Sequence, residues 1–247
     1  MEYCSSSLIV KKGLSGNALK VIAIIAMTID HVTWLIYPGF SVAPIPIILH
    51  VIGRITAPVM MFFISEGYHY TRNRIRYFLR LLLFAVISHV PYTMFSSFNF
   101  IPGIPTTSVM WPFALGVLAL MINQGDILKK AKRWQRYVLI SICLVLALPS
   151  DWSTPAVLSI LYMGSHWGNR RQQMLDMAIF LAIYAVVCGF AFAPVYGLIH
   201  IGVVIPILLL SLYNGTRGRA NGKVMKWLFY IFYPLHLLIL GLIKLYM

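Results

Sequence analysis

The chain has 247 residues, is 60% hydrophobic and only 11% charged, and carries a formal net charge of +14. A soluble domain has about 25% charged residues, so this composition, with a mean hydropathy of +0.82, excludes a soluble globular fold and describes an integral membrane protein. The apolar runs are continuous, which excludes a transmembrane β-barrel with its alternating strands. They predict an all-α polytopic bundle, because in lipid each segment must satisfy its own backbone groups.

The basic excess falls in short loops, where it sets helix orientation, and it implies no nucleic acid. Cys4, Cys143 and Cys188 are scattered, with neither a disulfide framework nor a metal-ligand spacing, so no metal is expected. Residues 1–16 form a short polar segment. Lys11, Lys12 and Lys20 precede the first apolar run as in a signal peptide, but the run is too long for one and lacks a small-residue cleavage site. It is read as a retained helix. The remaining residues, 17–247, form one helical domain, since the loops are too short to hold a second.

About nine spans follow from the apolar runs and the turn residues between them: 17–37, 47–70, 77–95, 108–124, 137–149, 154–168, 173–192, 195–213 and 227–246. The fifth and sixth are short, either two tilted helices or a re-entrant pair, and Ser153, Thr154 and Pro155 read as a cap followed by a first-turn proline. The N-terminus and the loops at 71–76, 125–136, 169–173 and 214–226 hold nearly all the Lys and Arg. Those at 38–46, 96–107 and 193–194 hold none, and 150–153 holds only Asp151. The positive-inside rule then places the N-terminus in the cytoplasm and the C-terminus outside.

Six ionisable residues within the spans have no topological explanation: Asp30, His31, Arg54, Glu66, His89 and His236. An Asp at a helix centre disfavours insertion by roughly 2.5–3.5 kcal/mol, so each marks a functional candidate. At about 1.5 Å rise per residue, Asp30, His31 and Arg54 lie roughly 10–12 Å below the outer surface. The Arg54 guanidinium stays charged and needs a carboxylate. Asp30 is the acid at its level, so a pair between helices is expected, with a purely structural lock as the alternative. Successive helical side chains point about 100° apart. His31 therefore leaves Asp30 and shares a stripe with Asn17, Lys20, Ile24 and Thr28. His50, His69, His166 and His200 lie near span ends and are expected to make only structural hydrogen bonds. Pro58, Pro91 and Pro234 bend the helices near Arg54, His89 and His236.

Three stretches in order, LSGNALKVIAIIAMTIDHV, VIGRITAPVMMFFISEGYHYTRNRIRYFLRLLLFAVISHVPY and FYPLHLLIL, resemble the TraX family of conjugal-transfer membrane proteins over nearly the whole chain. The resemblance implies a membrane acyltransferase of the bacterial cell (inner) membrane, with acetyl-CoA as donor and a pilin or other peptide N-terminus, a cell-envelope glycan or a lipid as acceptor. Residues that match are Asp30, His31, Arg54, Glu66, Gly67, Thr71, Arg72, Arg80 and His236. On this basis His31, Asp30, Arg54 and His236 are the expected catalytic residues. Glu66, Arg72, Arg76 and Arg80 are expected at the coenzyme, and His89 at the acceptor. Two other classes compete: a proton-coupled transporter, which also uses intramembrane ionisable residues but usually shows repeats, none of which is visible, and a non-catalytic assembly scaffold.

Overall fold

The computed structural model describes residues 12–96, 101, 103–218 and 222–247, with the backbone alone at 222, 223 and 226. All nine apolar runs are helical. The elements are α1 (Gly16–Ile36), α2 (Pro44–Gly53), α3 (Thr56–Tyr70), α4 (Arg74–Phe95), α5 (Met110–Gln124), α6 (Arg133–Leu146), α7 (Ser153–Ser165), α8 (Arg170–Ala191), α9 (Pro194–Ile199), a 3₁₀ turn (His200–Val203), α10 (Val204–Ser211) and α11 (Gly222–Tyr246). Among the described residues six spans are long and apolar enough to cross a membrane: Gly16–Ile36, Pro44–Tyr70, Arg74–Phe95, Arg170–Ala191, Pro194–Ser211 and Trp227–Tyr246. The chain is a multi-pass membrane protein. The other three runs, α5, α6 and α7, have 15, 14 and 13 residues, about 20–22 Å of helix against a hydrocarbon layer of roughly 30 Å.

Local chemistry sets the helix ends. Ser15, Asn73 and Asn169 accept from Ala18, Arg76 and Gln172 backbone N–H groups at the starts of α1, α4 and α8, supplying partners to otherwise orphaned donors. The start of α7 differs from its expected cap. Ser153 is its first residue, and the Ser153 and Thr154 hydroxyls donate to Leu148 and Leu144 carbonyls of the α6 side. They fasten a tight α6–α7 hairpin, which leaves Trp152 at φ 61° and Ser153 at φ 41°. Two successive non-glycine residues in the left-handed region store local strain.

Two spans are broken. The Pro44–Tyr70 span unwinds around Arg54 and Ile55, between α2 and α3, and the Pro194–Ser211 span unwinds at the 3₁₀ turn. The breaks face each other: a Cβ at Gly202 would lie 2.7 Å from the Val51 carbonyl and 3.3 Å from Arg54 Cβ. Irregular backbone at membrane depth is tolerated where protein or a cavity surrounds it.

Five helices close a ring. α1 packs on α3 and α11, α11 along α4, α4 along α5, and α5 on α3. The hairpin α6–α7 and helices α8 to α10 buttress its α3–α5 side. α3 is buried through Val59, Met61, Phe62 and Tyr68, each at 0% exposure. All the ionisable residues of interest sit on or beside this ring.

Candidate active site

The ring encloses two cavities. One, of about 580 Å³, opens toward the end that carries the uncharged loops and is lined by Asp30, His31, Arg54, Tyr92, Asp151 and Tyr233, among others. The second, about 660 Å³, lies toward the basic end and is lined by Asn17, Lys20, Glu66, Arg80, Arg217 and Tyr230, among others. Met60, Met110, Phe113 and Phe229 belong to both linings. The cavities are thus stacked end to end across an apolar constriction.

Asp30 and His31 separate, as their 100° offset requires. Asp30 Oδ2 accepts from Arg54 Nη2 at 2.6 Å, and Oδ1 accepts from His50 Nδ1 at 2.8 Å. Arg54 reaches further, with Nη1 3.3 Å from His200 Nε2 and Nε 3.4 Å from the His50 carbonyl. Its guanidinium also lies 5.5 Å from the Trp152 ring centroid. His200 Nδ1 donates to the Tyr196 carbonyl at 2.7 Å, so its Nε2 is the acceptor for Arg54. One negative and one positive charge are therefore buried together, with each flanking His oriented by a defined acceptor. The room for this comes from Gly53, where a Cβ would fall 2.3 Å from Asp30 Cβ.

His31 joins a different helix. Its Nδ1 lies 2.7 Å from His236 Nε2, with the two rings stacked at 4.9 Å. His236 Nδ1 lies 2.9 Å from the Phe232 carbonyl, which can only accept. The tautomers follow: His236 donates through Nδ1, its Nε2 carries the lone pair, and His31 donates into it through Nδ1. His31 Nε2 is left unprotonated, on the wall of the cavity. A neutral imidazole held this way is a ready general base.

His50 and His200 therefore belong to the Asp30–Arg54 network rather than to the span ends. His50 stands four residues before Arg54 on the same face of α2, a spacing that pointed to the contact. Asp151 is the other residue that sequence reasoning left out. It enters the histidine cavity from the α6–α7 turn, its backbone N–H bonded to the Thr107 carbonyl at 2.9 Å. Burial pushes its carboxyl up to about 6, against the opposing influence of Arg54.

Several expected residues fall elsewhere. Arg72 and Arg76 are exposed at the basic end and line neither cavity, because Arg72 precedes α4 and Arg76 lies in its solvent-facing first turn. Arg80, one turn deeper, does line the basic cavity, its guanidinium over Tyr77 and Tyr230 at 5.4 and 5.3 Å. Lys20 and Arg217 join it there. Glu66 lines the same cavity but its bonded partner is Gln173 Nε2 at 3.4 Å, not an arginine. His89 is half-buried on α4 and lines neither cavity. Among the described residues no group of three His, Cys, Asp or Glu is arranged to hold a metal ion.

Comparison with known proteins adds the family. The model of the TraX protein family matches residues 15–244, from the cap of α1 into the last turn of α11. The chain belongs to the TraX family. A relative, "Probable fimbrial assembly protein FimC, serogroup H1" from Dichelobacter nodosus, is 32% identical over 244 residues, covering 94% of this chain and 97% of that protein. No solved structure matches.

Proposed function

We propose that the protein is an acyltransferase of the bacterial inner membrane that moves an acetyl group from cytoplasmic acetyl-CoA to an amine or hydroxyl in the histidine cavity. The observation that carries this reading is the alignment of two cavities of opposite character. One offers cations at the basic end, which the positive-inside rule assigns to the cytoplasm. The other presents His31 beyond a constriction of Met60, Met110, Phe113 and Phe229.

The basic cavity fits a polyanionic donor. Among the described residues Asn17 Nδ2 and Arg80 Nε are buried donors without a hydrogen-bond partner, and Lys20 and Arg217 add charge. Phosphates supply acceptors of the matching kind. The flexible arm of the donor then runs between the shared apolar side chains, and the thioester reaches His31.

In the histidine cavity, His31 Nε2 takes the proton from the acceptor as it attacks the thioester carbonyl. His236 Nε2 steadies the imidazolium through the Nδ1–H bond. Three of the five Arg54 N–H groups are engaged, and the remaining two are available to the developing oxyanion. The tetrahedral intermediate collapses with loss of the coenzyme thiolate, which recovers the proton from His31. The name of the Dichelobacter relative, a probable fimbrial assembly protein, favours a pilin-type peptide as acceptor.

The test is direct. Purified protein given radiolabelled acetyl-CoA is expected to release CoA and label an acceptor peptide, and His31→Ala is expected to abolish both. Absence of any His31-dependent thioester turnover would overturn the reading.

A further inference from the structure

Besides Asp30, which is paired with Arg54 and His50, the histidine cavity holds two proton acceptors, His31 and Asp151, and a single-base mechanism uses one. Asp151 reaches the cavity wall from the α6–α7 turn. Among the described residues it has no ion pair, while Asp30, Asp126 and Asp176 are each paired. Its setting is aromatic: Trp152, Tyr92, Tyr196 and Tyr233 line the same cavity. Of the cations on that lining, Arg54 is committed to Asp30 and Lys244 donates to the Phe95 carbonyl. An unpaired carboxylate walled by aromatic faces suits an ammonium group, which aromatic faces also attract.

The backbone supports a placed side chain rather than an incidental one. Thr107 bonds to both sides of the turn, its N–H to the Pro149 carbonyl at 2.8 Å and its carbonyl to Asp151 N–H at 2.9 Å. The strained pair Trp152 and Ser153 follows at once, and strain of this kind gathers at ligand sites.

Proton counting makes the assignment specific. A hydroxyl acceptor loses one proton on acylation, and His31 suffices. An ammonium loses two: one before nitrogen can attack and one after the N–C bond has formed. We propose that Asp151 is the acceptor-reading residue, binding the acceptor ammonium and taking its first proton before His31 takes the second. This rests on the acyltransferase reading above. The ammonium gives one proton to Asp151 and becomes an amine, its lone pair forms the N–C bond, and His31 Nε2 takes the second proton. The C–S bond then breaks, the thiolate takes the proton held by His31, and Asp151 releases its own to the outside.

The probes are Ala-Ala-Leu amide, which carries an ammonium, and its lactoyl analogue, which presents a hydroxyl in the same place. Wild-type protein is expected to acetylate the amine peptide in preference. Asp151→Asn is expected to raise KM for the amine peptide at least tenfold and to erase the preference. KM for acetyl-CoA, which binds at the basic cavity, is expected within twofold of wild type, and the variant is expected to melt no lower than wild type, which shows that the fold is intact. Asp151→Glu is expected to recover part of the preference. If Asp151→Asn affects both probes equally, or neither, the inference fails while the acyltransferase reading stands. If wild-type protein hydrolyses the thioester through His31 but acetylates neither probe, the inference fails and the donor half of the reading survives. Without any His31-dependent turnover, both fail.

Discussion

Nδ1 of His31 and Nε2 of His236 lie 2.7 Å apart although 205 residues separate them in sequence. The Phe232 carbonyl fixes the His236 tautomer, and that in turn fixes which nitrogen of His31 is free. Removing the base is expected to lower acetyl transfer by about 10²- to 10⁴-fold. His236→Ala is expected to lower it less, and His236→Gln to recover part of that loss, because an amide oxygen accepts the same Nδ1–H bond. Initial rates with acetyl-CoA, normalised to folded protein, check the ordering. A His236→Ala variant as active as wild type would break the link.

The Asp30–Arg54 pair can be tested apart from chemistry. Deleting one partner of a buried pair leaves an uncompensated charge and costs about 3–5 kcal/mol, whereas replacing both by apolar residues of similar volume is often neutral or stabilising. Asp30→Leu and Arg54→Met are each expected to lower the thermal midpoint in detergent strongly, and the double variant to regain most of it. If the pair only locks helices, the double variant stays active. The proposed oxyanion role of Arg54 predicts a stable, inactive protein.

Gly53 holds the same network by what it lacks. A Cβ there would meet Asp30 Cβ at 2.3 Å and Oδ1 at 2.4 Å, so α1 and α2 would have to separate. Overpacking alone costs about 1–3 kcal/mol. Gly53→Ala is expected to lower the thermal midpoint and acetyl transfer together. Gly168, with nothing within 4 Å of its added Cβ but at φ 89°, lines neither cavity and is the control for a strained glycine away from the site, where only stability is expected to fall.

Much of this site was legible in the chain itself. An arginine at membrane depth needs a carboxylate, and Asp30 was the one within reach, so the pair followed from depth and charge. The offset of one residue was enough to part His31 from Asp30. What failed were inferences from position along a span. His50 and His200 stand near the ends of apolar runs, yet both broken helices carry them back inside, and only the i,i+4 relation of His50 to Arg54 hints at it. Asp151 stands in a short loop, and nothing local tells a solvated turn from one folded over a cavity mouth. The arginines of the basic loops look alike in sequence. Depth, not adjacency, selects Arg80 over Arg72 and Arg76: Arg76 shares a face of α4 with Arg80 but lies one turn nearer the solvent.

That selection is itself testable. Arg80→Ala and Lys20→Ala are expected to raise KM for acetyl-CoA at least tenfold with little change in kcat, as loss of uniform binding does. Arg72→Ala and Arg76→Ala are expected to change it less than twofold. Dephospho-CoA thioesters, which lack one phosphate, are expected to discriminate less between wild type and Arg80→Ala. Equal effects from all four substitutions would mean that the basic cavity is not where the donor sits.

Asp151 carries a stability signature with a definite sign. Burial raises its carboxyl from 3.8 to about 6 in the folded protein, with Asp30 adding to the shift and Arg54 opposing it. Tyr92, Tyr184, Tyr196, Tyr233 and Cys188 are further titratable neighbours, and Lys244 lines the same cavity. Between these two values the folded state binds more protons than the unfolded state, so stability falls as pH rises through that window. The ionised carboxylate is then a standing destabilisation at neutral pH, as expected of a group kept for a cationic ligand. Asp151→Asn, which cannot ionise, is expected to match wild type in thermal midpoint below about pH 4 and to exceed it increasingly up to about pH 6, with a constant advantage above. Detergent-solubilised protein melted at intervals from pH 4 to 8 gives the curve. A parallel pair of profiles would mean that Asp151 is already compensated in the folded protein.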